Sequence, residues 1–204
     1  MSKKNVLHIK TSISGDASKS NLLSSTIVEK LNNTYSECVV ETLDLAANPL
    51  PLLTQEMFQA FSTPKEARSQ TQIEIIQPSE IAITQIKNAD IVVLGVPLYN
   101  FSIPANLKVW IDQIARANET FSYANGTPQG LLTDKKVYLA IASGGVYSEG
   151  IMKAYDFTEN YLRAVLGFMG LTDVSTFRLE GIAVPNMGEQ AITKALDAVK
   201  DFSF

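Results

Sequence analysis

Apolar positions along this chain alternate between two periods. Short runs at 5–11, 37–43, 90–97, 136–142 and 173–179 read as strands, and the third and fourth are almost uninterrupted apolar stretches. Such runs are the mark of parallel strands covered on both faces. Between them the spacing becomes helical. Leu23, Ile27 and Leu31 recur at i, i+4 and i+8 within 18–33, and Leu107, Trp110, Ile111 and Ile114 make one stripe within 104–116. Further helices are expected at 79–88, 152–168 and 188–201. Five strands joined by right-handed helical crossovers predict an α/β fold, a doubly wound five-stranded parallel sheet with helices on both faces. The order 2-1-3-4-5 is chosen because the candidate chemistry needs the first and third strands side by side.

Two stretches exceed this minimal unit. Residues 45–78 begin Ala46-Ala47-Asn48-Pro49-Leu50-Pro51-Leu52-Leu53, turn helical near Gln55–Phe61 and continue as a polar run. Residues 118–134 carry Thr120-Phe121-Ser122-Tyr123 and then Asn125-Gly126, a strong turn signal that reads as a hairpin or ordered loop. The whole chain, 1–204, is therefore expected to form a single domain with inserts at about 45–78 and 118–134. Inserts of this length are more often functional or interfacial than idle.

Composition narrows the function. With 46% hydrophobic and 19% charged residues the chain is an ordinary globular one, and a net charge of −4 without a basic stripe argues against nucleic acid. Met1-Ser2-Lys3-Lys4 leads straight into Asn5–Ile9, an apolar run too short for a signal sequence or a membrane span. That start, together with a lone cysteine, Cys38, predicts a cytoplasmic protein with no membrane partner. His8 is the single histidine and lies inside the first strand. Metal sites and His-based triads need partners it lacks, and the carboxylates form no pair, so no metal and no catalytic acid or base are expected.

In an open α/β sheet ligands bind beyond the carboxyl ends of the strands, where strand order reverses. Three loops lie there. The first, Thr11-Ser12-Ile13-Ser14-Gly15-Asp16-Ala17-Ser18-Lys19-Ser20-Asn21, crowds hydroxyls where a helix begins. That arrangement suits a phosphate, and one N-cap alone explains only one of its serines. There is no G-x-G-x-x-G after the first strand and no G-x-x-x-x-G-K-[ST] anywhere, which points to a monophosphate such as that of FMN rather than a dinucleotide. The second loop, Val96-Pro97-Leu98-Tyr99-Asn100-Phe101-Ser102-Ile103-Pro104, pins exposed-type aromatics between two prolines. It is either a packed corner or a platform for a flat flavin ring. The third, Ala142-Ser143-Gly144-Gly145-Val146-Tyr147-Ser148-Glu149-Gly150, has paired glycines that permit close backbone approach, though such a turn is also common without a ligand.

Together these loops resemble the FMN-dependent NADH:quinone oxidoreductase/azoreductase family, the bacterial azobenzene reductases. The matching pieces run in order through nearly the whole chain: Leu7–Ser12, Ser18–Asn21, Asp44–Pro49, Pro97–Phe101 with Leu107-Lys108, Thr120-Phe121, Gly130-Leu131, Gly144-Gly145, Leu166–Phe168, Gly170–Asp173 and Glu180–Ala183. The resemblance implies a flavodoxin-like fold, a homodimer and one non-covalent FMN per subunit. It implies that NADH donates hydride and that quinones or azo compounds accept two electrons in a ping-pong cycle. Carried over by position, Ser12, Ser18, Lys19 and Ser20 would hold the phosphate. Leu98, Tyr99, Asn100 and Phe101 would frame the ring, Ala142, Ser143, Gly144 and Gly145 would cover its other edge, and Phe121 and Phe168 would line the substrate slot. One departure is visible: some members have Ser-Arg-Gly-Gly in the fourth-strand loop where this chain has Ala142-Ser143-Gly144-Gly145. Lys65 or Arg68 is a candidate for favouring NADPH. The alternatives are a flavodoxin-type electron carrier without small-molecule turnover and a flavin-free α/β signalling module.

Overall fold

The computed structural model describes residues 3–124 and 126–204; Asn125 of the predicted Asn-Gly turn, and Met1 and Ser2, lie outside them. Five parallel strands form the sheet: β1 (Lys4–Lys10), β2 (Cys38–Asp44), β3 (Ile91–Pro97), β6 (Lys136–Ala142) and β7 (Asp173–Leu179). Their order is β2-β1-β3-β6-β7, the predicted 2-1-3-4-5 pattern, with two short strands inserted in the numbering. Those two, β4 (Phe121–Ser122) and β5 (Gln129–Gly130), pair antiparallel and make the expected hairpin.

Helices α1 (Lys19–Thr34) and α7 (Gly188–Asp201) cover one face, while α4 (Gln77–Asn88), α5 (Ala105–Ile114) and α6 (Thr158–Phe168) cover the other. Each apolar stripe explains its side. Leu23, Ile27 and Leu31 of α1 meet Val6, Val93 and Ala140, whereas Leu107, Trp110, Ile111 and Ile114 of α5 meet Leu94 and Leu139. β3 is buried at all seven positions, as its continuous apolar run requires; β2, at the edge, alternates and stays half exposed.

The excursion after β2 folds into α2 (Gln55–Ser62) and α3 (Gln70–Ile75), joined by a 3₁₀ turn. It is clamped onto α4 and α5. Gln113 Nε2 donates to Pro51 O at 2.8 Å, and Arg68 Nη1 donates to Glu80 Oε1 of α4 at 3.4 Å. Helix α6 starts six residues later than the 152–168 pattern predicts. Residues 151–155 form a 3₁₀ turn instead, and Asp156 Oδ1 accepts the Thr158 N–H at 2.9 Å, which restarts the helix there. Among the described residues no helix is long and apolar enough to cross a membrane, and no group of three or more His, Cys, Asp or Glu could hold a metal.

Candidate functional site

Parallel pairing brings the carboxyl ends of β1, β3 and β6 side by side, so the three loops meet. Thr11 Oγ1 donates to Gly95 O at 2.8 Å and Asn106 Nδ2 donates to Thr11 O at 3.0 Å, tying the first loop to β3 and α5. Ser12 Oγ lies 3.2 Å from Tyr99 Oη, and Leu98 N donates to Ala142 O at 2.8 Å. The result is a cleft of about 190 Å³. It is lined by Ser12, Ser18, Lys19, Ser20, Leu98, Tyr99, Ala142, Ser143 and Gly144, all expected from the sequence, together with Ser14, Ala17, Pro97 and Ile182; Asn100, Phe101 and Gly145, expected beside them, stand outside this lining. Larger hollows lie elsewhere, near Lys136 and Asp173 at the amino ends of the strands and between α7 and residues 146–149. Neither sits at the crevice where strand order reverses.

The hydroxyl loop has both a structural and an open part. Ser18 Oγ accepts the Asn21 N–H at 3.1 Å and caps α1, while Ser20 Oγ is 3.1 Å from Ser18 Oγ. The N–H groups of Lys19 and Ser20, in the first turn, meet no acceptor among the described residues. Two free donors at the positive end of a sixteen-residue helix, flanked by buried hydroxyls and one lysine, form an anion seat.

The corner after β3 is a tight turn. Tyr99 N donates to Ser102 O and Ser102 N to Tyr99 O, both at 3.0 Å, and the central residues have positive φ, +48° at Asn100 and +73° at Phe101. This pattern favours Asn followed by Gly. Here a bulky aromatic stands where glycine fits, at a cost on the order of 1–3 kcal/mol. Such strain persists where the surroundings enforce it. Phe157 N donates to Phe101 O at 3.0 Å, and the Phe101 ring lies 5.5 Å from that of Tyr155 and 6.3 Å from that of Tyr147. The amides of Asn100 and Phe101 have no acceptor among the described residues.

On the third side, Ser143 N donates to Leu179 O, Gly181 N to Gly145 O and Ala183 N to Gly144 O, zipping the loop to the chain after β7. Ser143 Oγ closes it by donating to Gly145 O at 2.8 Å, a contact internal to the loop. A Cβ on Gly144 would stand 3.3 Å from Ala183 Cβ, and one on Gly145 would stand 3.2 Å from the Tyr147 ring. The amides of Gly144, Gly145 and Val146 are left without an acceptor among the described residues. These unpaired donors, buried at Ser20, half-buried at Lys19 and Gly145 and exposed at Asn100, Phe101 and Gly144, are available to a ligand rich in acceptors.

Two expectations do not hold within one chain. Phe121 and Phe168 do meet, with ring centroids 4.6 Å apart, but not at this cleft. Helix α6 runs back from the carboxyl end of β6, so Phe168 lies near the start of β7; the β4–β5 hairpin likewise precedes β6 and sits at its amino end. Nor are Lys65 and Arg68 free. Lys65 pairs with Glu119 at 2.9 Å, and Arg68 is bound to Ala60 O, Thr63 O and Glu80. Sequence reasoning assigned neither Tyr147, in the third loop, nor Tyr155 a contact with Phe101. Neither falls in an apolar period, and only the tertiary contact with Phe101 marks them.

The chain belongs to the flavodoxin-like fold family, whose model it matches over residues 4–202. It is 45% identical over 191 residues, covering 94% of this chain and 92% of the relative, to an FMN-dependent NADH:quinone oxidoreductase of Herminiimonas arsenicoxydans. It is 40% identical, over 94% of this chain and 90% of the relative, to a protein of the same name from Mesorhizobium japonicum. Among solved structures, an azoreductase of Bacillus anthracis superposes with a TM-score of 0.89 at 30% identity, over 96% of each chain.

Proposed function

We propose that this protein is an FMN-dependent oxidoreductase that takes electrons from NADH and reduces quinones and aromatic azo compounds. The observation that supports it best is a cleft lined by three loops, with buried hydroxyls and the unpaired amides of Lys19, Ser20 and Gly144, in a chain so similar to proteins of that name. Bound FMN would supply the two-electron chemistry. The chain's own groups would bind and orient. The Lys19 and Ser20 amides, the hydroxyls of Ser12, Ser18 and Ser20, and the Lys19 ammonium hold the phosphate. Leu98, Tyr99, Asn100 and Phe101 border one edge of the ring, and Ala142, Ser143, Gly144 and Gly145 the other. The fixed amides at Gly144 and Gly145 stabilise negative charge there without reorganising. No side chain of this chain is assigned as a catalytic acid or base.

The cleft, at about 190 Å³, is smaller than the roughly 300–1,000 Å³ of ordinary ligand pockets. A wall supplied from outside the chain would enlarge it, as in a homodimer in which Phe121 and Phe168 of the partner subunit close the slot. Leu52, Leu53 and Phe58 expose apolar surface on the excursion, suited to that contact. On this reading residues 1–204 act as one cytoplasmic flavin-binding domain, whose inserts at 45–78 and 118–134 build the dimer. With Lys65 and Arg68 engaged, the excursion offers no unpaired guanidinium to a 2′-phosphate, which favours NADH.

The test crosses NADH and NADPH with a quinone and an azo dye on FMN-loaded protein. In stopped flow, NADH should bleach the flavin absorption before any acceptor is added. Bleaching without multiple turnover would turn the reading toward an electron carrier, and failure to retain FMN would remove it.

A further inference from the structure

We infer that Arg178, which does not touch the cleft, is the positioning residue that holds the segment 143–157 as the second wall of the site; this rests on the flavin reading above. Arg178 stands near the end of the edge strand β7, where a charged side chain at such a position would ordinarily be solvated. Instead its side chain is only 19% exposed and its guanidinium spans three carboxylates. Nη2 donates to Asp156 at 2.5 Å and to Glu159 Oε2 at 2.7 Å, Nε donates to Glu159 Oε2 at 3.1 Å, and Nη1 donates to Glu180 Oε1 at 3.0 Å.

Each carboxylate in turn holds part of the wall. Glu180 Oε1 accepts the Tyr147 N–H at 3.0 Å, just beyond the paired glycines. Asp156 Oδ1 accepts the Thr158 N–H, fixing the start of α6; the residue between, Phe157, donates to Phe101 O in the strained turn. Arg178 thus staples both ends of the 145–157 stretch, one beside Gly145 and the other beside Phe101. Only a rigid fork of several donors reaches all three acceptors, which a lysine's single ammonium does not reproduce. Without it, Asp156, Glu159 and Glu180 are left close together, and of the three only Glu159 keeps an ion pair, with Arg163, among the described residues. Their repulsion and lost hydrogen bonds act on the wall, because Tyr147 and Phe157 are tied to them.

Arg163 supplies the control. It binds the same Glu159, and otherwise Val174 O and Thr176, all on the α6–β7 side and away from residues 143–157. The Lys153–Ala154 bond, exposed in the 3₁₀ turn, reports the wall's closure without any flavin. In apo protein Arg178→Met should speed tryptic cleavage at this bond about tenfold, and it should raise the FMN Kd about tenfold in fluorescence titration. Arg163→Met should leave both within twofold of wild type. Arg178→Lys should fall between, and it replaces Arg178→Met if that variant does not fold. Cleavage and FMN affinity in the Arg178 variant no different from Arg163→Met would overturn the proposal. If wild-type protein bound no FMN, the functional reading would fall, while faster cleavage in the Arg178 variant would still uphold the staple.

Discussion

The two ends of the sheet treat their polar groups in opposite ways. At the amino end the charged side chains of the loops are answered from within. Glu119 pairs with Lys87 at 2.6 Å and with Lys65 at 2.9 Å; although burial raises its pKa, these two cations outweigh that and pull it down to about 2. Arg116, nearly buried, binds Glu80 and Ser79 and lies 4.3 Å over the Phe61 ring. Lys135 donates to the carbonyls of Lys87 and Ala89. At the carboxyl end, by contrast, amides of Lys19, Ser20, Asn100, Phe101, Gly144 and Gly145 stay unpaired and Phe101 is held in strain. Long inserts alone therefore do not mark a site. Free first-turn amides of a long helix gathered with buried hydroxyls at one cleft do, because the helix terminus leaves them no internal partner and favours an anion.

The contrast is open to attack at both ends. The largest effect is expected at the amino end, from Gly130→Ala. A Cβ there would lie 2.1 Å from Gly170 N, with backbone that cannot swing aside. Urea denaturation should register a loss of about 3 kcal/mol or more; a loss below about 1 kcal/mol would mean that this end is looser than its contacts imply.

Between the ends lies His8, buried under α1 with Nε2 2.8 Å from Ser24 Oγ. Burial drags its pKa down to about 4, the nearby Lys10 charge adds to this, and Asp44 opposes it. The folded value lies below the unfolded one near 6.5, so the unfolded chain takes up the proton first. The contribution is intact above pH 6.5 and is lost as pH falls toward 4, by roughly 3 kcal/mol in all. Denaturation midpoints at pH 7, 5.5 and 4 should show this fall in wild type and a flatter profile in His8→Gln. Parallel profiles would assign the acid sensitivity to other groups.

At the carboxyl end, stability effects should be small and binding effects large. Ser18→Ala removes the α1 cap at a cost of about 1 kcal/mol, and it should weaken FMN binding about tenfold through a lost charged hydrogen bond. The smallest change in stability belongs to Asn100→Gly, within about 0.5 kcal/mol, because glycine accepts the +48° φ that alanine would resist. A several-fold rise in FMN Kd would then report the side chain alone. Unchanged affinity would take Asn100 out of the site.

The elements that hydrophobic period alone determines were legible in the sequence: five strands and the buried faces of α1 and α5; the 2-1-3-4-5 pattern came instead from the need to bring the loops after the first and third strands together. Period reports which face is buried, and a parallel sheet fed by right-handed crossovers leaves few ways to bury them. The three loops were legible too, since serines, prolines and paired glycines state local backbone needs directly. Only the tertiary structure decided the rest. It sent Phe121 and Phe168 to the far end, because α5 and α6 must run the length of the sheet before the next strand begins. It bound Lys65 and Arg68 to carboxylates distant in sequence. It also joined Arg178 to Asp156 and Glu159, about twenty residues earlier, and brought Tyr147 and Tyr155 to Phe101. Those contacts depend on how packed elements meet in space, which no residue's local preference encodes.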